Sequence, residues 1–167
     1  MAIWVLESAY RYARAAAILR NASLTFESEV NAALAMELLL KSLLAQPVDN
    51  DRRGTVAQQY EVPKSLGIRD GHDLGQLADA IPSDIAERLG LPAIRDVLES
   101  KKSVFKHSRY IYEVTAPNGS SETLLGHVCW LLPQVVEHFE SIGSADPWLL
   151  YMRKHPEKMQ VQSIAEG

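Results

Sequence analysis

Residues 28–45, SEVNAALAMELLLKSLLA, constrain the fold of this chain more than any other segment. The segment has no Gly and no Pro, and Val30 is its only β-branched residue, so it predicts an α-helix. Its apolar side chains point in almost every direction around the helix axis, which is typical of a central, buried helix. Glu29, Glu37 and Lys41 argue against a membrane span, so the segment predicts a core helix of a soluble protein.

Glu37 and Lys41 are the exceptional residues of this helix. They lie four residues apart with the acid on the N-terminal side, which is the favoured order for a helical ion pair. Because they share a face with Val30, Leu34 and Leu44, we expect both charges to enter the core and to need partners there. The alternative is an ordinary surface pair, which contributes little to stability.

Length and composition limit the class of protein. A chain of 167 residues suits one domain, and a net charge of −4 gives no overall attraction to nucleic acid. The single cysteine, Cys129, lies in an apolar helical pattern and predicts a buried thiol in a reducing compartment. The N-terminal residues lack the pattern of a signal peptide, so we expect none, and the sequence has no zinc-ligand spacing and no glycine-rich phosphate loop. We therefore expect a cytoplasmic protein without a metal or cofactor.

The regions on either side of the central helix differ in pattern. Residues 3–21 predict a first helix, whose alanines favour close packing in an antiparallel hairpin with the central one. Its Arg and Tyr side chains are typical of a solvated face, with nucleic-acid binding as the alternative. Residues 47–71 have no sustained period and predict a long loop with at most a turn of helix.

The segment Gly71–Leu77, GHDLGQL, predicts the start of a short helix that Pro82 ends. Asp73 lies near the first turn, where a carboxylate suits the helix dipole. His72 is a capping or structural group, a metal ligand or an acid–base group. The first role is favoured, because no second His or Cys stands at ligand spacing. Ser83 should cap the helix that follows.

Pro92 opens an amphipathic pattern of about 20 residues, which predicts one continuous helix packed on the core. Charged residues form a stripe beside its apolar face: Arg95, Lys102, Lys106, Arg109 and Glu113. We expect the first three to be solvated, whereas Arg109 and Glu113 lie among aromatic residues that favour their burial. We expect Arg109 to reach Glu37 across the bundle, because a carboxylate paired only within its own helix is poorly satisfied.

The C-terminal third predicts two more helices. After a turn at residues 117–121, a long helix follows, which Pro133 should bend. The dipeptide Asp146-Pro147 has the form of an N-cap followed by Pro at the first helical position, so it should start a short helix. We expect the tail after this helix to be frayed. The bundle should therefore span 1–145, with a short C-terminal helix and tail over 146–167.

All predicted elements are helices, with no hairpin or alternating strand pattern. An all-α antiparallel bundle of four to five main helices, with short extra helices, is the simplest arrangement. The first helical hairpin, ELLLKSLL at 37–44, GHDLGQL at 71–77 and SRYIYE at 108–113 together resemble HEPN domains, named for higher eukaryotes and prokaryotes nucleotide-binding. The resemblance covers roughly residues 5–140 and implies a helical bundle of a kind that often dimerises.

The resemblance also implies a polar pocket between the central helices. It carries over five binding residues: Glu37, Lys41, His72, Asp73 and Arg109. We add Glu113, which lies one helical turn after Arg109. The resemblance implies an association with nucleotide or RNA and with systems of the toxin–antitoxin, phage-defence or nucleotidyltransferase-partner type. Because the ribonuclease motif of the family is incomplete in this sequence, we expect a non-catalytic binding or interaction module. We expect a homodimer, because Trp4, Trp130 and Trp148 supply more apolar surface than a four-helix core needs. A structural protein that only self-associates is the plainest alternative.

Many HEPN proteins are ribonucleases that use an Arg, four to six intervening residues and then a His. The cation holds the phosphate while the imidazole assists attack by a ribose hydroxyl. The nearest match here runs from Lys102 to His107, with Lys in place of Arg, and Lys lacks the bidentate fork. On an uninterrupted helix the two side chains also point about 140° apart. We expect RNA cleavage to be absent or very weak; the alternative is a metal-independent ribonuclease with a degenerate K-x4-H motif.

Overall fold

The computed structural model describes residues 2–48, 59–102, 104 and 123–161. Within these residues the α-helices are α1 Ile3–Asn21, α2 Thr25–Leu44, α3 Leu74–Asp79, α4 Ser83–Arg88, α5 Arg95–Ser100, α6 Thr123–Ser141 and α7 Pro147–Lys154. Three 3-10 helices, Lys64–Leu66, Leu91–Ile94 and Pro156–Met159, and two short strands, β1 Gln46–Val48 and β2 Gln59–Glu61, complete the described elements. The fold is an all-α helical bundle, as the sequence predicts.

Helices α1 and α2 form a closely packed antiparallel hairpin, joined by the short turn at residues 22–24. Alanines on both helices are almost inaccessible to solvent: Ala9, Ala13, Ala16 and Ala17 on α1, and Ala32, Ala33 and Ala35 on α2. These small side chains let the two backbones approach each other. The hydroxyl of Ser28 then donates a hydrogen bond across the contact to the carbonyl of Ala16, at 2.8 Å.

Helix α2 is the central element of the bundle, since it contacts α1, α3 and α6. Every residue from 28 to 45 is buried or half-buried, and Met36, Leu39 and Leu40 are fully inaccessible to solvent. Burying one such side chain contributes about 1.5–3 kcal/mol through the hydrophobic effect. The prediction of a central helix that is covered on all sides is therefore confirmed.

The strands β1 and β2 correct the prediction that the chain has no paired strands. Strands β1 and β2 pair in antiparallel register, with Pro47 opposite Tyr60. The strands are short, and their residues are exposed or half-buried. Because no face of this sheet is buried, no alternating apolar pattern marks it in the sequence. The turn of helix expected in this region is present as Lys64–Leu66.

The amphipathic segment that starts near Pro92 is not one continuous helix. It begins as the 3-10 helix Leu91–Ile94, continues as α5 and turns at residues 101–102. The turn brings Lys101 to the buried carboxylate of Glu29, a tertiary contact that outweighs local helix propensity. Apart from Val104, the later positions of the predicted helix lie outside the described residues.

The two predicted N-caps have different outcomes. Ser83 is the first residue of α4 rather than its cap; Pro82 stands in the N-cap position, where it makes no side-chain cap bond. The cap at Asp146 is confirmed, because its carboxylate accepts a hydrogen bond from the backbone N–H of Trp148 at 2.8 Å. Pro147 follows at the first helical position of α7, as expected.

Helix α6 supplies the second large apolar face of the core. Its buried residues include Leu124, Leu125, Val128, Leu131, Leu132 and Val135. Pro133 lies inside this helix, where it removes one backbone donor, and the thiol-bearing Cys129 is half-buried. Among the helices described, none combines the length and the apolar character needed to cross a membrane.

The segment after α7 is packed as far as Val161 instead of being frayed from Pro156 onwards. The hydroxyl of Tyr10 on α1 donates a hydrogen bond to the carbonyl of Lys158 at 3.1 Å, and Val161 is buried in the common core. An apolar side chain that finds this core holds the segment down, which its local sequence does not indicate. Residues 162–167 lie outside the described residues.

Candidate functional site

Glu37 is the centre of a polar cluster within the helical core. Its side chain, on α2, is only 3% exposed, and Lys41 one turn later donates from Nζ to Oε1 at 2.6 Å. His72 approaches from the loop before α3, with Nδ1 at 2.9 Å from Oε2. Each carboxylate oxygen therefore has a partner. Three of the predicted binding residues come together here, and we name them the Glu37 cluster.

The loop before α3 positions His72 through backbone contacts. The carboxylate of Asp70 accepts a hydrogen bond from the backbone N–H of His72 at 3.0 Å. Asp73 caps α3, because its Oδ1 accepts from the backbone N–H of Gln76 and its Oδ2 from the Gln76 side chain, both at 3.0 Å. The capping role considered for His72 thus belongs to Asp73, which orders the loop beside the Glu37 cluster.

The contact with Glu37 defines the orientation of the His72 ring. Nδ1 of the ring lies 2.9 Å from Oε2 of Glu37, within hydrogen-bond distance of the carboxylate. This bond fixes the orientation of the imidazole, whose side chain is 45% exposed, while that of Lys41 is 23% exposed. These exposed fractions show that a ligand can reach this side of the Glu37 cluster.

A second buried glutamate on α2 went unrecognised in the sequence. Glu29 is 3% exposed at its side chain, and Lys101, at the end of α5, bonds to its Oε1 at 2.9 Å. The signal that identifies it is the one already used for Glu37. Because α2 is apolar on all sides, any charge within this stretch is forced into the core. The partner of Glu29, Lys101, lies 72 residues further along the chain, so no local sequence pattern predicts the pair.

The charged stripe on α5 is solvated, as predicted for Arg95 and Lys102. Arg95 makes a bidentate pair with Asp79 on α3, with both nitrogen–oxygen distances at 2.7 Å, and a further bond to Glu99. The Arg95 hydrogen bonds hold the pKa of Asp79 below its usual range. Lys102, in the turn after α5, pairs with the exposed carboxylate of Glu99. These contacts are surface pairs, which contribute little to stability.

Several predicted residues lie outside the described part of the chain: Lys106, His107, Arg109 and Glu113. The contact between Arg109 and Glu37 therefore stays a prediction, although Lys41 and His72 already satisfy both oxygens of that carboxylate. Across residues 2–48, 59–102 and 123–161, no three His, Cys, Asp or Glu side chains form a group that could hold a metal ion.

Comparison with known proteins returned no match of any kind. No model of a protein family matches this chain, and neither a curated protein nor a solved structure is detectably similar to it. The resemblance to HEPN domains therefore rests on the quoted sequence segments alone. The functional argument depends on the geometry of the Glu37 cluster.

Proposed function

We propose that this chain is a non-catalytic, HEPN-like binding module that holds a nucleotide, free or at the end of an RNA, at the Glu37 cluster. The observation that carries this proposal is a pair of donors, Lys41 and His72, fixed side by side on one buried carboxylate. Both side chains reach solvent, whereas Glu37 does not. The Lys41 ammonium has N–H donors beyond the one that Glu37 receives, so phosphate oxygens can bond to it without rearranging the core.

The charges around the cluster limit the kind of ligand. Asp70 and Asp73 lie in the same loop as His72, and each carboxylate is engaged by a backbone N–H. With Glu37 they make three carboxylates against the one ammonium of Lys41, so the cluster has an excess of negative charge. It gives no long-range attraction of a polyanion, and neither does the net charge of −4, so a phosphate must be held by direct hydrogen bonds from Lys41 and His72. We expect a single nucleotide of modest affinity, held by hydrogen bonds as much as by charge.

The module acts, in this proposal, as a cytoplasmic homodimer with a partner of the toxin–antitoxin, phage-defence or nucleotidyltransferase type. The sequence resemblance supports the class of partner. Two half-exposed tryptophans, Trp4 and Trp130, support an additional protein contact, because large apolar side chains are enriched in interfaces.

Nucleotide titrations of two matched variants test the site. Lys41→Ala and Lys101→Ala are matched, because each removes the lysine partner of a buried glutamate on α2. The lysine side chains are 23% and 22% exposed, and each glutamate side chain is 3% exposed. Both changes remove a charged partner from a buried carboxylate and should destabilise the fold, Lys101→Ala at least as much as Lys41→Ala because Glu37 keeps its bond to His72. Only Lys41→Ala should weaken the binding of ATP, GTP, CTP or UTP in isothermal titration calorimetry, by about tenfold or more for one lost charge-assisted bond. Equal losses in both variants would show that stability, not the site, controls binding.

The ribonuclease alternative has a separate readout. Incubation of the purified protein with RNA in EDTA should leave the RNA intact, because Lys102 is paired with Glu99 and lacks the bidentate fork of Arg. Metal-independent cleavage that disappears in His107→Ala would reject the non-catalytic proposal in favour of that alternative. Absence of nucleotide binding together with intact RNA would leave the protein as a helical module that only self-associates.

A further inference from the structure

A groove of about 660 Å³ lies at the C-terminal end of the molecule, away from the Glu37 cluster. Its floor is one face of α6, and its walls are α7 and the segment 156–161. We name it the C-terminal groove; its main lining residues are Cys129, Val136, Glu140, Met152, Met159 and Val161. The volume lies within the range of about 300–1,000 Å³ that is typical of small-molecule sites.

The walls of the groove are built into the fold. Asp146 caps α7, and the Tyr10 hydroxyl on α1 bonds to the carbonyl of Lys158 in the opposite wall. Met152 and Val161 anchor the two walls, because both side chains are buried in the common core. A ligand would therefore enter a preformed site and would lose little binding energy to ordering the protein.

The lining suits an apolar ligand body. Cys129, Met152 and Met159 contribute polarisable sulfur atoms, and Val136 contributes a branched aliphatic surface. Thioether side chains adapt to irregular shapes and make favourable contacts with hydrocarbon and aromatic groups. Such a surface binds the apolar part of a ligand through shape and buried area. The polar residues of the groove therefore determine which polar group of a ligand is favoured.

The carboxylate of Glu140 is the polar group that can select the ligand. Oε1 of Glu140 is buried, and among the described residues it has no hydrogen-bond partner. A buried polar atom without a partner is costly, and a carboxylate oxygen requires a donor. Glu140 is also one of the residues that line the groove, so a ligand bound there can supply the donor that this oxygen lacks. Glu137 and Arg153 also line the groove, which leaves an excess of one negative charge.

We propose that the C-terminal groove binds a small amphipathic amine. The ammonium group donates to Glu140, and the hydrocarbon part packs on the sulfur-rich and aliphatic lining. The negative charge of the groove disfavours an amphipathic anion of the same size. The ligand differs in charge from the nucleotide proposed for the Glu37 cluster, so the two sites are independent.

Three probes with one chain length test this proposal: octylammonium, 1-octanol and octanoate. Each is titrated into the full-length, ¹⁵N-labelled protein at neutral pH, and amide shifts and calorimetry report the binding. Octylammonium should saturate a site that includes Val136, Met152 and Met159. It should bind more tightly than octanol, by about tenfold or more, because one charge-assisted hydrogen bond contributes that much affinity. Octanoate should bind most weakly of the three. Equal affinities for the three probes, or no saturation by octylammonium, would overturn the proposal.

A matched pair of variants assigns the charge. Glu140→Gln keeps the shape and removes the charge, so octylammonium should fall to the affinity of octanol while octanol is unchanged. Glu157 lies in the segment 156–161, which forms one wall, but it does not line the groove, so Glu157→Gln should bind octylammonium like the parent. Lys41→Ala should also bind it like the parent, which separates this test from that of the nucleotide site. Unchanged octylammonium affinity in Glu140→Gln would refute the role of Glu140.

A groove-filling variant keeps the test decisive if Glu140→Gln fails to fold. Met159→Trp places a larger side chain on the half-buried wall of the groove. Octylammonium and octanol should then both lose affinity, because they share the apolar part of the site. Parental affinity for both probes in this variant would place their binding elsewhere and would overturn the proposal.

Discussion

His138 on α6 makes a third polar contact in the core. Its ring is buried, and Nδ1 lies 2.7 Å from Nη2 of Arg88. A guanidinium only donates, so Nδ1 accepts this bond and carries no proton. Burial, reinforced by the positive charge of Arg88, lowers the pKa of His138 from its ordinary value of 6.5, and Asp84 acts weakly in the opposite direction. The folded state therefore favours the neutral imidazole.

This residue should make stability depend on pH. Between the lowered pKa of the folded state and the ordinary value of 6.5, the unfolded state binds more protons than the folded state. The contribution of His138 is thus complete above pH 6.5 and is lost as the pH falls through the folded-state pKa. Urea unfolding between pH 7.5 and 5 should show this fall, and His138→Gln should reduce it. An identical slope in the parent and the variant would contradict the prediction.

At the scale of elements, Gly90 controls how the connection after α4 meets α6. It has a φ of +69°, which favours glycine, and a Cβ at this position would lie 2.8 Å from the ring of Trp130. Gly67 has the same φ but no neighbour within 4 Å of the corresponding position. A comparison of Gly67 with Gly90 therefore separates two effects. Both positions require a left-handed backbone, but only Gly90 also lies against the Trp130 ring of α6.

Alanine substitutions at these glycines should differ in cost. Gly67→Ala should lose about 1–2 kcal/mol of stability, the penalty of the left-handed conformation. Gly90→Ala should lose that amount and about 1 kcal/mol more, because Trp130 has to move. In a Trp130→Ala background the extra loss should disappear. Urea midpoints of these variants provide the measurement, and equal costs for both glycines in the parent background would show that the ring contact contributes nothing.

At the scale of the whole molecule, helix α1 contacts the C-terminal elements of the chain. Tyr10 packs against Trp148, with ring centroids 5.8 Å apart, and bonds to the carbonyl of Lys158. Trp148 is therefore partly engaged within the protomer. Trp4 and Trp130 remain 50% and 43% exposed, which leaves two of the three tryptophans with large apolar surfaces in contact with solvent.

These surfaces underlie the prediction of a homodimer. Multi-angle light scattering at micromolar concentration should show a mass of two chains, because burial of exposed Trp side chains is a strong driving force for association. Trp4→Ala or Trp130→Ala should shift the equilibrium towards monomer if its ring lies in the interface, with far-UV circular dichroism as the folding control. Monomer alone for the parent protein would contradict the prediction.

Part of the candidate site is readable from the sequence. Glu37 and Lys41 stand out because ionisable side chains interrupt a helix that is apolar all round, and their i, i+4 spacing fixes their contact. The resemblance places His72 in the same pocket as Glu37, but the sequence does not predict the direct contact between the two side chains. The missing information is the position of a loop that lies 35 residues further along the chain, and side-chain spacing cannot specify it.

The sequence by itself determined the helical class, the bounds of α1, the central place of α2 and the cap at Asp146. All of these follow from local periodicity, desolvation and backbone capping, which act within a few residues. Only the tertiary structure decided the His72–Glu37 and Lys101–Glu29 contacts, the exposed pair of strands β1 and β2, and the docking of Val161. These features join segments far apart in the chain or lack a buried face. Their free energy comes from contacts that form only when the bundle assembles, and for that reason no local pattern encodes them.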